Sequence, residues 1–304
     1  MPHSAADTSP RRTTPVREQA LACLFQHRAA TTVQLLRMLT PRPHPEYLRR
    51  CLRALRRDGL AESIDLYHHP SVWSLTDHGR AVVARWPQFA DQIPYRAGRG
   101  PGGLRSAHTL TVTRTALAFL ADARARGDDF SPLDWTPEVS HQVRDGAAGG
   151  QRMLVADALL HYTRVHPKRA LLRAFVEVDR ATQSSEQLAS KLIAYARFHS
   201  APPVVPGRHG TVSRQAAAAA WAWQRSYPVF PRLLFVLTGA GQHALTQRIA
   251  DLQTMVRQHP LVKRFATEVP LGAAVLEDLE QHGASAAVWT ALDGRTGRFG
   301  WMDL

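Results

Sequence analysis

Lysine, cysteine and long apolar runs are all scarce in this sequence of 304 residues. Only three lysines occur, Lys168, Lys191 and Lys263, so the other 35 basic residues are arginines. The two cysteines, Cys23 and Cys51, lie in separate helical patterns and form no CxxC spacing, which indicates reduced thiols rather than a metal site. No stretch reaches the roughly 18 apolar residues of a membrane span, and no signal-peptide pattern is visible. We therefore expect a cytoplasmic protein without a membrane partner.

Motifs of the common hydrolases and nucleotide-binding enzymes are missing as well. No HExxH, GxSxG or P-loop occurs in the sequence. The stretch 239–244 fits the dinucleotide pattern GxGxxA, but its late position in the chain favours a simple turn from a strand into a helix.

The formal net charge is +13, although charged residues make up only 21% of the chain. A hydrophobic fraction of 44% is typical of a globular protein and excludes bulk disorder. Positive charge in excess on such a protein favours a polyanionic partner, above all nucleic acid.

Composition divides the chain into four segments. Residues 1–15 are polar and contain three prolines, which predicts a disordered arm. A first globular unit occupies residues 16–88, and residues 89–106 form a linker rich in proline and glycine. Residues 107–304, where strand patterns alternate with helical patterns, form the second unit.

The first unit is predicted to contain three helices, two short strands and a final helix. The helical patterns cover residues 17–26, 31–39 and 44–58, the strand patterns cover 61–67 and 72–75, and the final helix runs from 76 to 84. Three helices followed by a two-stranded ribbon are typical of a winged helix-turn-helix domain.

The third helix is predicted to be apolar on one side and basic on the other. Its apolar residues recur every three or four positions and are predicted to face the core: Tyr47, Leu48, Cys51, Leu52 and Leu55. The other side carries five arginines: Arg49, Arg50, Arg53, Arg56 and Arg57. A face of this kind suits insertion into the major groove of DNA, where it would contact phosphates and base edges. A solvated charged face, or a helix used for protein pairing, is the alternative.

Two apolar strand patterns in the second unit flank a turn that contains Pro167. In a hairpin centred on this proline, Asp157 and Glu177 lie opposite each other, ten residues before and after it. Asp179 points the same way as Glu177, because side chains alternate along a strand. Carboxylates on an apolar hairpin need a positive partner, which is either a divalent cation such as Mg²⁺ or a basic side chain.

The helix that follows offers a basic side chain. Ser184 or Ser185 is predicted to begin it, and Lys191 shares its inward stripe with Leu188 and Tyr195. A lysine that faces carboxylates can orient water or stabilise the charge on a phosphate group. A purely structural ion pair is the alternative.

The order of these elements resembles the PD-(D/E)xK nuclease superfamily. More narrowly, the chain resembles the replication-relaxation family from mobile elements of Gram-positive bacteria, which joins a winged helix to a domain of this kind. The stretches that carry the resemblance are 155–158 (VADA), 175–182 (FVEVDRAT) and 188–195 (LASKLIAY).

Two positions depart from the superfamily pattern. Ala156 stands where the pattern has a proline before the aspartate, and Asp179 stands where it has a lysine two residues after Glu177. Some members carry the lysine on the following helix instead, and Lys191 matches that placement.

The resemblance implies an α+β protein with a winged helix-turn-helix domain followed by a restriction-endonuclease-like domain around a central mixed sheet. It also implies metal-dependent phosphodiester hydrolysis. Asp157 and Glu177 would be ligands of Mg²⁺ or Mn²⁺, Asp179 would be a further acidic residue of the site, and Lys191 would help to activate water.

Three further residues join the candidate site. Arg152 and Arg180 could contact phosphate, and Glu138 on the preceding strand is a weaker candidate acid.

We therefore expect a protein that binds double-stranded DNA of a plasmid or integrative element during replication, relaxation or conjugative transfer. Cleavage by a Mg²⁺-dependent DNA nickase or endonuclease activity stays open at this point. The alternative is a non-enzymatic transcriptional or replication regulator with a degenerate nuclease-like domain. A homodimer, and contacts with other replication or transfer proteins of the element, are compatible with both hypotheses.

Overall fold

A computed structural model describes residues 15–64, 71–90, 104–145, 150–201 and 221–304. The predicted arm, most of the predicted linker and the end of the first predicted strand lie outside these residues, and the side chain of Arg152 is likewise outside them. The chain divides into two compact units, residues 1–101 and 102–304.

The described part of the first unit contains four α-helices and three short strands. The helices are α1 (Val16–His27), α2 (Thr32–Met38), α3 (Pro45–Arg57) and α4 (Asp77–Val83). The strands are β1 (Ala29–Thr31), β2 (Ala61–Ile64) and β3 (Val72–Leu75), which form an antiparallel sheet in the order β1–β3–β2. The sequence pattern does not predict β1, because three residues carry too little alternation to be recognised. The other elements follow the predicted order.

Polar caps fix the ends of the short helices in this unit. Thr31 Oγ1 accepts the backbone N–H of Gln34 at 3.1 Å, and the Gln34 side chain accepts the N–H of Thr31 at 2.9 Å. Thr76 Oγ1 accepts the N–H of Gly79 at 3.0 Å and donates to the carbonyl of Gly59 at 2.6 Å. Thr76 therefore ties the start of α4 to the residues that follow α3.

Helix α3 buries Leu48, Leu52 and Leu55 and exposes all five of its arginines. The prediction for Tyr47 is wrong: this side chain is 46% exposed instead of lying in the core. Successive residues are about 100° apart around a helix, so Tyr47 lies on the flank of the apolar stripe.

The packing of the first unit extends beyond residue 88. Phe89 is buried, and its ring centroid lies 4.6 Å from that of Phe25 in α1. At the other end of the predicted linker, the first helix of the second unit already begins at Leu104.

The described part of the second unit contains five α-helices and a mixed six-stranded sheet. The helices are α5 (Leu104–Arg126), α6 (Ser185–His199), α7 (Gln242–Gln258), α8 (Pro260–Glu268) and α9 (Leu276–His282). The strands, in sheet order, are β4 (Trp135–Asp145), β5 (Gly150–Arg164), β6 (Ala170–Asp179), β7 (Arg232–Leu237), β8 (Leu271–Val275) and β9 (Thr290–Ala291). Strands β6, β7 and β8 are parallel to one another, and the other pairs are antiparallel. The protein is therefore of the α+β class.

Helices cover both faces of this sheet. Apolar residues of α6, α7 and α8 pack on one face in a single core with alternate residues of β6, β7 and β8. On the other face, Phe119 of α5 packs among Trp135, Trp289 and Trp301. Among the helices that the structure describes, none is both long and apolar enough to cross a lipid bilayer.

The alternation of side chains along β5 changes phase at Asp157. Leu154 and Ala156 before it and Leu159 after it all belong to the core beneath α6, which strict alternation would not allow. On the neighbouring strand, Glu138 falls between the ladder pairs of its two neighbours and adopts a φ of 53°. A left-handed residue of this kind interrupts a strand and is strained for a non-glycine side chain.

Candidate functional site

The β5–β6 hairpin has the register predicted from Pro167. Its ladder ends at the pair Ala158–Val176, so Asp157 and Glu177 come next along the two strands. Both side chains lie on the face of the sheet that α6 covers, because residues of α6 contact each of them.

Lys191 joins the two carboxylates. Its helix begins at the predicted cap, where Ser184 Oγ accepts the N–H of Gln187 at 3.3 Å. Lys191 Nζ lies 3.5 Å from Asp157 Oδ1 and contacts Glu177 Oε2 directly. The exposed fractions are 22% for the lysine side chain, 15% for Asp157 and 2% for Glu177. We refer to these three residues as the carboxylate–lysine cluster.

Further groups hold each carboxylate of the cluster in addition to the shared lysine. The Tyr195 hydroxyl donates to Glu177 Oε1 at 2.5 Å, and the backbone N–H of Val178 donates to Asp157 Oδ2 at 2.8 Å. His108 Nε2 lies 3.2 Å from Asp157 Oδ1. The sequence gives no signal for His108 as a site residue, because it lies in the first turns of a long helix far from the hairpin in sequence.

The charges of the cluster change one another's proton affinity. Burial raises the pKa of Glu177, and the neighbouring charge of Asp157 raises it further, against the opposing charge of Lys191. Burial alone would also raise the pKa of Asp157, but the contact with His108 and the charge of Lys191 outweigh it and lower that pKa. The two carboxylates more than offset the effect of burial on Lys191 and raise its pKa, so the ammonium group keeps its proton.

Asp179 has a partner of its own and does not share in the cluster. Its Oδ2 accepts Nη1 of Arg248 in α7 at 2.8 Å. The same guanidinium donates through Nη2 to the carbonyls of Ala181 at 3.3 Å and Gln183 at 2.7 Å. Burial raises the pKa of Asp179, against the charge of Arg248. These contacts fasten the loop between β6 and α6 to α7.

The other predicted site residues lie around the cluster. Glu138 is exposed on β4, next to Asp157 across the interrupted ladder, and Arg180 is partly exposed directly after β6. A Cβ at Gly239 would lie 2.6 Å from the carbonyl oxygen of Arg180, and Gly239 has a φ of 83°. Close approach of two backbones therefore explains this glycine, as expected for a simple strand-to-helix turn.

The donor atoms of the cluster are the kind that a hard divalent cation takes. A group of three or more metal-ligating side chains does not occur within the described ranges. Mg²⁺, however, uses one or two carboxylates and completes its shell with water or phosphate oxygens. Glu177 Oε2 is buried and accepts no hydrogen bond from a described residue, although the Lys191 ammonium group lies against it. Asp157 and Glu177 therefore fit such an ion.

A second candidate site is the arginine face of α3 in the first unit. The five arginines lie opposite the buried leucines and are all exposed. A negatively charged partner can reach this face without any described side chain being displaced from the core.

Comparison with protein families gives a match over residues 21–212. The model of the family described as replication-relaxation matches residues 21–212, which is more than half of the 304 residues. Neither the curated proteins nor the solved structures gave a match. The matched range contains α3, both carboxylates of the cluster and Lys191. The chain therefore belongs to the replication-relaxation family.

Proposed function

We propose that this protein binds double-stranded DNA of a mobile element through a winged helix in its first unit and hydrolyses a phosphodiester bond in its second unit. Membership of the family points to a role in replication or relaxation of mobile elements. The order of helices and strands in the first unit, with an exposed arginine face on α3, supports DNA binding by a winged helix.

One observation carries the hydrolytic part of the proposal. Asp157, Glu177 and Lys191 come from two strands and a helix, and Lys191 Nζ reaches both carboxylates within 3.5 Å. Nucleases of the PD-(D/E)xK type, which the sequence resembles, require this combination of two acidic residues and a lysine. The mixed sheet with helices on both faces is compatible with that fold.

Each residue of the cluster has a defined part in the proposed reaction. Asp157 and Glu177 would hold Mg²⁺ or Mn²⁺, which when bound supplies a water molecule of lowered pKa and neutralises charge on the phosphate. Lys191 stays protonated and donates to a water molecule or to a phosphate oxygen. Tyr195 fixes the Glu177 carboxylate, and the Val178 N–H fixes that of Asp157. Arg180 is a candidate contact for an adjacent phosphate.

A non-enzymatic regulator is the second candidate function. The observation that favours it is the direct contact between Lys191 and Glu177, since this lysine already neutralises the buried carboxylate without a metal ion. In that case the cluster stabilises the second unit, and the first unit alone provides the function by binding DNA.

The decisive experiment is a nicking assay on supercoiled plasmid with Mg²⁺ or Mn²⁺. The test variants are Asp157→Asn, Glu177→Gln and Lys191→Met, which keep the shape of each side chain but remove its charge. Matched controls are Glu186→Gln on the same helix and Lys263→Met, both at exposed positions. We expect each test variant to lose about 100-fold or more in nicking rate, as when a charge-stabilising group is removed from an active site. The controls should nick at the rate of the unchanged protein.

The other outcomes separate the two candidate functions. Plasmid retention without nicking by the unchanged protein would favour the regulator. Nicking that survives Asp157→Asn and Glu177→Gln would refute the proposed site. Thermal melting of each variant is measured alongside, so that loss of activity is not confused with loss of the fold.

A further inference from the structure

An exposed aromatic side chain lies beside an arginine in the first turns of α3. Tyr47 is 46% exposed, and the guanidinium carbon of Arg50 lies 5.8 Å from the centroid of its ring. The two residues are three positions apart, so they are neighbours on the surface of the helix. Neither side chain belongs to the core of the unit, whose contribution from α3 comes from the leucines.

The five arginines of α3 are not equivalent. Glu46 contacts Arg49 directly and lies 3.9 Å from Arg53, and Arg53 Nε also donates to the carbonyl of Arg49 at 3.3 Å. Arg56 Nη1 donates to Ser63 Oγ at 3.2 Å. Three of the arginines are therefore directed towards groups of their own unit.

Arg50 and Arg57 are different. No carboxylate of the described part of the chain forms an ion pair with either guanidinium group. They are seven residues, or about two turns, apart and lie on the same side of the helix. Arg50 is near the N-terminal end and Arg57 at the C-terminal end of α3. The N-terminal residues of a recognition helix are those that contact base edges in the major groove.

The ring of Tyr47 restricts the orientation of the Arg50 guanidinium group and so favours such a contact. A guanidinium group beside an aromatic ring is attracted to the ring face, and its planar donors lose less freedom when they bind. Two parallel donors of arginine match O6 and N7 of guanine, which is the commonest specific contact in the major groove. An apolar ring edge in the same place matches the methyl group of thymine.

We propose that Tyr47 and Arg50 are the base-reading pair of this protein, and that they select a guanine with a thymine next to it. Arg50 donates to the guanine, and the Tyr47 ring contacts the thymine methyl group. Arg57 contacts a phosphate and carries no sequence preference. The proposal rests on the proposed binding of double-stranded DNA. A second copy of the same unit does not fit this face, because five exposed arginines would repel five others.

Selection from random double-stranded DNA by the full chain tests the proposal. The unchanged protein should enrich a motif that contains the thymine–guanine step. Arg50→Ala should lose about 10-fold to 100-fold in affinity for the enriched site, while its affinity for unrelated DNA of the same length falls only a few-fold. Tyr47→Ala should lose the preference for thymine, and Tyr47→Phe should keep it because the ring remains.

Arg57→Ala is the matched control. It should weaken the enriched site and unrelated DNA by the same factor, and reduce the slope of log affinity against log salt by about 1. Melting curves and binding to unrelated DNA establish that each variant is folded.

Three outcomes would overturn the proposal, and only the first of them would also overturn the proposed function. Absence of any DNA retention by the unchanged protein would end the proposed function and this inference together. Binding without an enriched motif would agree with the proposed DNA binding but refute base reading by Tyr47 and Arg50. A motif that survives both Tyr47→Ala and Arg50→Ala would assign base reading to other residues.

Discussion

The charged side chains of α3 are exposed to solvent, whereas those of the carboxylate–lysine cluster are largely buried. On α3, five arginines and Glu46 lie on the surface, where their mutual contacts are loose and open to solvent. In the second unit, Asp157, Glu177 and Lys191 are largely buried, and each has a partner within the same unit. Exposed charge is available to a partner molecule, whereas buried charge must first be balanced inside the protein.

The energies of the two regions differ accordingly. Ion pairs between exposed side chains contribute about 0–1 kcal/mol and weaken with added salt. When one partner of a buried pair is removed, about 3–5 kcal/mol of stability is lost, because the other charge remains buried without compensation. Substitutions that remove a buried charge should therefore lower stability more than substitutions that remove an exposed one.

Arg248→Met should destabilise the second unit by about 3–5 kcal/mol. Asp179 is almost fully buried, and Arg248 supplies its charged partner as well as two hydrogen bonds to the loop after β6. The free energy of unfolding in urea measures the effect. Arg257→Met, at an exposed position of the same helix, is the control and should change that free energy by less than about 0.5 kcal/mol.

A double variant sharpens this prediction. If the loss comes from the uncompensated carboxylate, Asp179→Asn should recover part of the stability lost in Arg248→Met. Strictly additive losses would contradict the pairing as the cause.

Acidification should weaken the second unit through His141. This residue packs between Phe198 and Phe175, and Tyr227 Oη lies 3.0 Å from its Nε2. Burial lowers the pKa of His141 from 6.5 to about 4. Between pH 6.5 and pH 4 this histidine binds a proton in the unfolded chain but not in the folded protein. Its contribution to the free energy of unfolding is therefore complete above pH 6.5 and decreases towards pH 4. The loss amounts to at most about 3 kcal/mol.

His141→Gln keeps a polar partner for Tyr227 but has no proton to gain. The unfolding free energy of the variant should therefore depend less on pH between 6.5 and 4 than that of the unchanged protein. His243→Gln, at an exposed position of α7, is the matched histidine substitution outside the core. An identical pH dependence in His141→Gln would refute the assignment.

The smallest effect on stability should come from α3 itself. Arg49→Ala and Arg53→Ala each remove an exposed ion pair with Glu46 and should change the unfolding free energy by less than about 0.5 kcal/mol. The same substitutions should weaken the proposed binding to DNA, most strongly at low salt, where phosphate contacts are least screened. A stability loss as large as that of Arg248→Met would show that the exposed ion pairs of α3 contribute as much to stability as a buried pair, and would contradict the difference between the two regions.

The sequence predicts the elements whose causes are local. The register of the β5–β6 hairpin follows from the position of Pro167, and the faces of α3 follow from its helical repeat. Lys191 could be found because it shares the inward stripe of α6 with Leu188 and Tyr195, which the structure buries.

The sequence does not predict the contacts between residues that are distant in the chain. Arg248 is 69 positions from Asp179. Its spacing of three residues from Leu245 and four from Leu252, both buried residues of α7, is a usable signal for an inward charge. His108 reaches Asp157 from a helix whose start lies in a glycine-rich stretch, so no local pattern marks it. Tyr47 lies on the flank of its stripe, where a helical repeat alone does not decide between core and surface.

The change of phase at Asp157 also bears on how this family can diverge. The two strands of the β4–β5 hairpin keep the same pairing register on both sides of Glu138 and Asp157, but the positions whose side chains face α6 change there, so the two halves of the hairpin follow separate patterns of apolar residues. Relatives can therefore lengthen, shorten or recompose the far half of the hairpin without moving the aspartate. In an alignment of the family, apolar positions should change from even to odd numbers across residue 157. An aligned aspartate should mark the boundary between a conserved half and a variable half.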